Sequence, residues 1–163
     1  PELQVLVQGE GTRHGLMERF RQGSSLGAPG CVLVASVSFW EGVDVPGDAL
    51  QLVVIDKLPF PVPSDPLVQA HAQRLQQAGR SPFRDHALPE AAVALKQGAG
   101  RLIRHETDEG ILVVADTRLL DRGYGKRLLV ALPPLRKLGS EEEFHEALQA
   151  LVTRASTTGR SCP

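Results

Sequence analysis

Short apolar runs alternate along this chain with longer amphipathic stretches, and the two have different periods. "LQVLVQ" (3–8), "CVLVAS" (31–36), "LQLVVIDKL" (50–58) and "GILVVAD" (110–116) are near-continuous Val, Leu and Ile, the pattern of strands buried on both faces. "TRHGLMERFRQG" (12–23), "DPLVQAHAQRLQQAG" (65–79), "LPEAAVALKQGAGRLIRHE" (88–106) and "EEEFHEALQALVTRA" (141–155) repeat apolar positions every three or four residues and predict helices. Ser140 followed by Glu143 predicts a capping box at the start of the last one. Strands of this kind alternating with helices predict an α/β fold, a parallel β-sheet flanked by helices. Ligands of such folds sit at the carboxyl ends of the strands, so the loops after Ser36, Lys57 and Asp116 form the expected working edge.

Composition adds limits more than identity. The 163 residues are 42% hydrophobic and 23% charged, as expected of one globular domain, assigned to residues 1–155. "KLPFPVPSDP" (57–66) holds four prolines and predicts an ordered, irregular loop. "STTGRSCP" (156–163) has little to bury and predicts a disordered tail. The chain opens on a strand without an initiating Met, which predicts a fragment of a longer protein. No apolar run is long enough to span a bilayer and no signal peptide is visible, so the expectation is a cytoplasmic protein without membrane contact. Cys31 and Cys162 form no metal or disulfide framework, and histidines 14, 71, 86, 105 and 145 lack ligand spacing, so no metal residues are assigned. A formal net charge of -1 means that nucleic-acid affinity must come from a local basic patch.

Three segments carry candidate chemistry. In "QGAGRLIR" (97–104) a continuous helix puts Gln97, Arg101 and Arg104 within roughly 60° of one another, opposite Leu88, Ala92, Leu95, Ala99 and Leu102. Gly98 and Gly100 each cost about 1 kcal/mol against Ala in a helix interior, which calls for a close approach of backbone or ligand. Arginine's planar fork suits phosphate oxygens, so one reading is a phosphate-sensing helix. The other is a solvated face paired with Glu90 or Glu106. "SFWEGVDVPGDAL" (38–50) places Glu41 and Asp44 around Gly42 after a strand, where they can accept hydrogen bonds from arginines, a ribose or backbone amides. An acidic loop that is only soluble fits as well, and Trp40 can stack on a base or cap a core. "DTRLLDRGYGKRLL" (116–129) groups Arg118, Arg122, Lys126 and Arg127 around Tyr124, a pattern suited to a phosphate backbone with a stacked base or to a solvated helix face.

In this order the segments resemble the second RecA-like motor domain of superfamily 2 DNA helicases of the DinG/XPD-like iron–sulfur group, in its bacterial DinG-type and YoaA-type branch. "SFWEGVDVPG" is similar to motif V, "KLPFPVPSDPL" to the segment after the next strand, and "ALPEAAVALKQGAGRLIRHETDEGILVVADTRL" to motif VI and its following strand. The resemblance implies that Gln97, Gly100 and Arg101 face a nucleoside triphosphate and that Arg104 is an arginine finger on the γ-phosphate. It implies that Glu41, Gly42 and Asp44 couple this cleft to DNA. Ser38, Phe39, Trp40, Arg74, Arg118, Arg122, Tyr124 and Lys126 are the expected DNA-facing residues. No G-x-x-x-x-G-K-[ST] loop, Asp-Glu-Ala-His box or set of four cysteines is present. These belong to a first RecA-like domain of the same chain, expected upstream, which would bring ATP, Mg²⁺ and, where present, an iron–sulfur cluster. The expectation is a monomeric, 5′-to-3′ ATP-dependent DNA helicase acting on single-stranded DNA in repair, with this fragment inactive alone. A RecA-like module that binds nucleic acid or protein without a motor is the alternative.

Overall fold

The computed structural model describes residues 3–23, 30–39, 50–103 and 108–158, with side chains through residue 153. Trp40, Glu41, Gly42, Asp44 and Arg104 lie outside the described residues. The element order is β1 (Gln4–Val7), α1 (Arg13–Gly23), β2 (Cys31–Val34), a 3₁₀ turn (Val37–Phe39), β3 (Leu52–Ile55), α2 (Pro66–Gln77), a π-helical turn (Phe83–Ala87), α3 (Leu88–Ala99), β4 (Ile111–Val114), α4 (Arg118–Asp121), α5 (Gly125–Ala131) and α6 (Glu141–Thr158). Among the described residues the four apolar runs are thus the strands, and the fold is the α/β one. They pair two by two. β1 and β2 are parallel, with Leu6 opposite Leu33 and Val7 opposite Val34. β3 lies beside β4, and the bonds Ile111 N–H to Gln51 O and Ala115 N–H to Ile55 O advance together along both strands, as parallel pairing requires.

Helix starts follow local chemistry. Thr12 Oγ1 accepts from Gly15 N–H (3.1 Å) ahead of α1, and Asp65 accepts from the amides of Leu67 (2.7 Å) and Val68 (3.3 Å) with Pro66 in the first turn of α2. Ser140 Oγ accepts from Glu143 N–H (3.2 Å), while the Glu143 carboxylate reaches back to Gly139 N–H (2.6 Å), one residue before the usual partner. α6 runs on to Thr158, past the point where the sequence predicts a tail.

Two compact units emerge, the division passing through β3 and β4. The first comprises residues 1–53, 100–112 and 136–163. Its core packs Leu6, Leu16, Met17, Phe20 and Phe39, with Cys31, Leu33 and Leu50 against them. Among the described residues, this core covers one face of β1–β2. Leu3, Val5, Val32 and Val34 are exposed. The second unit, residues 54–99 and 113–135, buries Leu75, Leu88, Ala91, Leu95, Leu119 and Leu128, with α3 against α5 and the π-turn, and α4 against α5. A Cβ at Gly125 would overlap the Leu119 carbonyl oxygen and lie 2.6 Å from its carbon, so glycine is what lets α5 start against α4.

The helix predicted over 88–106 stops at Ala99, and Gly100–Leu102 form a turn. Gly98 and Gly100 explain the early end, because each weakens the helix just where it would have to continue. The helical face that groups Gln97 with Arg101 and Arg104 in the sequence reading therefore does not extend to Arg101, and Arg104 lies outside the described residues.

Candidate functional site

The turn after α3 is built from its packing outward. Ala99 and Leu102 are buried, and Leu102 rests where a Cβ at Gly110 would come within 2.8 Å of its Cδ2 and 3.1 Å of Gln51 O. Gly110 is thus a close-approach glycine that lets this turn sit on the entry to β4. Arg101, between Gly100 and Leu102, is half-buried. Its Nε is shielded from water and has no hydrogen-bond partner, the one such side-chain atom among the described residues. A buried donor without an acceptor is costly and uncommon in folded proteins. The arrangement suits an anion brought from outside the described residues. Gln97 is exposed on the last turn of α3, in the second unit, whereas Arg101 belongs to the first.

At the carboxyl ends of β1 and β2, Gln8 Oε1 accepts from Ser36 N–H (2.7 Å) and from Ser36 Oγ–H (2.9 Å), and the Ser36 and Ser38 hydroxyl oxygens lie 2.8 Å apart. Two hydroxyls are thereby held at the expected working edge. Phe39, expected among DNA-facing residues, is 5% exposed and belongs to the core of the first unit. Arg13 donates to the Phe39 carbonyl (3.0 Å) and lies over its ring at 5.2 Å from the centroid. An aromatic ring leaving a strand here closes the core, and is not presented for stacking.

The third set lies at the ends of β3 and β4. Asp116 accepts Leu58 N–H (2.9 Å) and Arg118 N–H (3.1 Å), and its carboxylate receives Arg118 Nε (2.9 Å) and Nη2 (2.6 Å). The guanidinium bonds, with help from the Leu58 and Arg118 amides, hold the Asp116 carboxyl well below the usual carboxylate range despite its burial. Arg118, expected to meet DNA, is thus engaged within the fold, and it lies 5.7 Å from the Phe60 centroid. Phe60, Phe83 and Tyr124 form a mutual cluster with centroids 5.2–5.7 Å apart. His71 and His86 stack at 4.2 Å. Arg74, Arg122 and Lys126 are exposed, and Tyr124 is half-buried.

Gln8, Ser36, Phe60, Phe83 and Asp116 take part in these arrangements and are not among the candidates that the sequence offers. For Asp116 a signal existed in the Asp-x-Arg spacing directly after a strand. For Gln8 and Ser36 none did, because only the β1–β2 register brings them together.

Parallel strands flanked by helices, with polar and basic loops at their carboxyl ends, define an α/β domain whose ligand edge is expected at those ends. Residues 1–135 match the helicase C-terminal domain family, and the chain belongs to it. It is 49% identical over 131 residues to the ATP-dependent DNA helicase YoaA of Haemophilus influenzae, a match covering 80% of this chain and 20% of that protein. It is 42% identical over 135 residues to the ATP-dependent DNA helicase DinG of Photobacterium profundum (83% and 19% covered) and 39% over 133 residues to the 3'-5' exonuclease DinG of Bacillus subtilis (80% and 14%). The chain therefore spans about a fifth of the length of the first of these relatives. Among the described residues no helix is long and apolar enough to cross a membrane.

Proposed function

We propose that this chain is the second motor domain of a longer ATP-dependent DNA helicase that works in the cytoplasm as a monomer. In this reading it supplies motif V and the motif VI arginine finger, and part of the single-stranded DNA track. The observation that carries the reading is the buried, unpartnered Nε of Arg101, in the segment that the family resemblance assigns to the triphosphate. Arg101 and Gln97 would hold phosphate oxygens through charged and neutral donors, with Gly100 leaving room for them. Arg104 would meet the charge that develops on the γ-phosphate.

Such a cation accelerates hydrolysis only if it interacts more strongly in the transition state than in the ground state. Delivery across a cleft that closes on bound ATP meets that condition and turns closure into a step along DNA. Glu41, Gly42 and Asp44 would transmit that closure to the DNA side, where the hydroxyls of Ser36 and Ser38 suit a phosphate. The first RecA-like domain of the same chain would bring the phosphate loop, Mg²⁺ and any iron–sulfur cluster, so these 163 residues alone would not turn over ATP.

The test joins this segment to its upstream motor domain and measures single-strand-stimulated ATP hydrolysis with and without Arg104→Ala. A fall of about a thousandfold with nucleotide binding retained is the expected result. Unchanged turnover removes the finger assignment. A second reading, a nucleic-acid-binding module without a motor, draws support from the Bacillus subtilis relative named as an exonuclease. In that case Arg104→Ala leaves nucleic-acid binding intact and there is no DNA-stimulated ATP hydrolysis to lose.

A further inference from the structure

The rings of Phe60, Phe83 and Tyr124 come from three separate segments: the proline-rich loop after β3, the π-turn, and the turn between α4 and α5. All three belong to the second unit. Phe60 and Tyr124 meet edge to face at 5.7 Å, Phe83 and Tyr124 at 5.2 Å, and Phe60 and Phe83 are tilted by 31° at 5.7 Å. A cluster of this size would ordinarily be core. Here Phe60 and Tyr124 are half-buried and Phe83 is 41% exposed, while the buried hydrophobic side chains of this unit are leucine, isoleucine and alanine.

Phe83 opens the π-helical turn, whose closing bond runs from Leu88 N–H to Phe83 O. A turn of this kind inserts one residue into the helical course and recurs at functional sites. The exposed ring is fixed from two sides by its aromatic neighbours, so little rotamer freedom remains to be lost when a flat ligand lands on it. Around it the cations are exposed. Arg84 follows Phe83, and Arg122 and Lys126 flank Tyr124 two residues on either side. Two of the nearby carboxylates are engaged, Asp116 with Arg118 and Asp85 with Ser81 N–H (3.0 Å) and Arg80 (3.4 Å), which leaves the exposed Asp121 beside Arg122 against three cations. A held, half-open aromatic surface interleaved with free cations is what a single-stranded nucleic acid requires: a face for a base and charges for its phosphates.

We propose that Phe83, backed by Phe60 and Tyr124, is a platform on which one base of bound single-stranded DNA stacks, with Arg84, Arg122 and Lys126 along the adjoining phosphates. This rests on the helicase reading above and names a contact within its DNA track. Arg118 acts here as a positioning residue, tying the start of α4 to Asp116 and to the Phe60 ring.

The experiment uses the full-length protein and oligo(dT) carrying a single 2-aminopurine, alongside the same strand with an abasic stretch. Wild type, Phe83→Leu and Lys126→Gln are compared across salt concentrations, with thermal unfolding of each. Leucine keeps an apolar side chain, so the fold is retained. Phe83→Leu should weaken binding to the intact strand about tenfold, lose the 2-aminopurine quenching, leave the salt slope unchanged, and make no difference on abasic DNA. Lys126→Gln should lower the salt slope by about one on both strands. Equal losses on intact and abasic DNA, or no loss on either, overturn the platform and leave the rings as packing. Wild-type protein that hydrolyses ATP with DNA stimulation while Phe83→Leu binds normally removes only the platform. Wild-type protein that binds no single strand removes the helicase reading as well.

Discussion

Replacing Arg101 by methionine asks whether the turn after α3 keeps a polar group whose partner is the nucleotide. Methionine preserves a flexible apolar stem and removes the guanidinium. Arg101 is half-buried and its Nε is shielded from water without an acceptor, whereas Leu102 beside it is fully packed. An unsatisfied buried donor costs about 1–3 kcal/mol, and the part of the side chain still in contact with water sets the gain from removing it toward the lower half of that range. The expected stabilisation is about 1–2 kcal/mol. With a urea m-value of about 2 kcal/mol/M for a chain of this size, the unfolding midpoint should rise by about 0.5–1 M. The same substitution in the full-length protein should lower DNA-stimulated ATP hydrolysis by about a hundredfold or more. Stability gained as activity is lost is the signature of a group kept unpaired for a ligand. A midpoint that falls on Arg101→Met refutes the reasoning, because it means the guanidinium is satisfied by the protein itself.

Two further outcomes follow from the second unit. Gly125→Ala should cost about 3 kcal/mol, since its Cβ meets the Leu119 backbone, whereas Gly123→Ala, with nothing within 4 Å, should be neutral or slightly stabilising; equal midpoints for the pair in urea would contradict the packing of α5 on α4. Asp116, whose carboxyl is lowered chiefly by Arg118, contributes stability that is complete above its unfolded pKa of about 3.9 and is lost as pH falls from there through the lower folded value. Unfolding followed from pH 6 to pH 2 should therefore show an acid slope that Asp116→Asn reduces, and an unchanged slope means that the Arg118 fork is not formed in solution.

The strands were legible because four Val- and Leu-rich runs admit little else, and β1 to β4 fall inside the predicted segments. The helix starts were legible because Asp65 and Ser140 announce themselves by type and spacing. The end of α3 was not: the apolar repeat continues through Leu102, and only the weight given to Gly98 and Gly100 separates a helix of nineteen positions from one ending at Ala99. α4 and α5 are too short to show a period, and the choice of π over α at 83–87 is a single shift of a backbone bond. Phe39 was misread because its burial depends on Leu6, Leu16 and Phe20 arriving from β1 and α1. The Asp116–Arg118 fork has a local signal in its Asp-x-Arg spacing, but the Leu58 amide that Asp116 also accepts is distant in sequence, and no local pattern reports such a partner.

The arginines separate by what becomes of their donors, and exposure alone would not have sorted them. Arg118 is largely exposed, yet its Nε and Nη2 are committed to Asp116 two residues away. Arg13 is likewise exposed, and it donates to the Phe39 carbonyl. Both tie loops at strand ends to the fold, and removing either should loosen structure before it alters chemistry. Arg101 is more buried than either and less satisfied. In water an unpaired donor is unremarked, because solvent accepts it; under a packed turn it raises the free energy of the unliganded state. A phosphate oxygen arriving there would recover that cost as binding energy, so under the proposed function the orphaned Nε would give the ligand a larger differential interaction than a solvated arginine could offer. That difference would let nucleotide binding favour one arrangement of the proposed motor over another, from a turn that two glycines free from the helix before it.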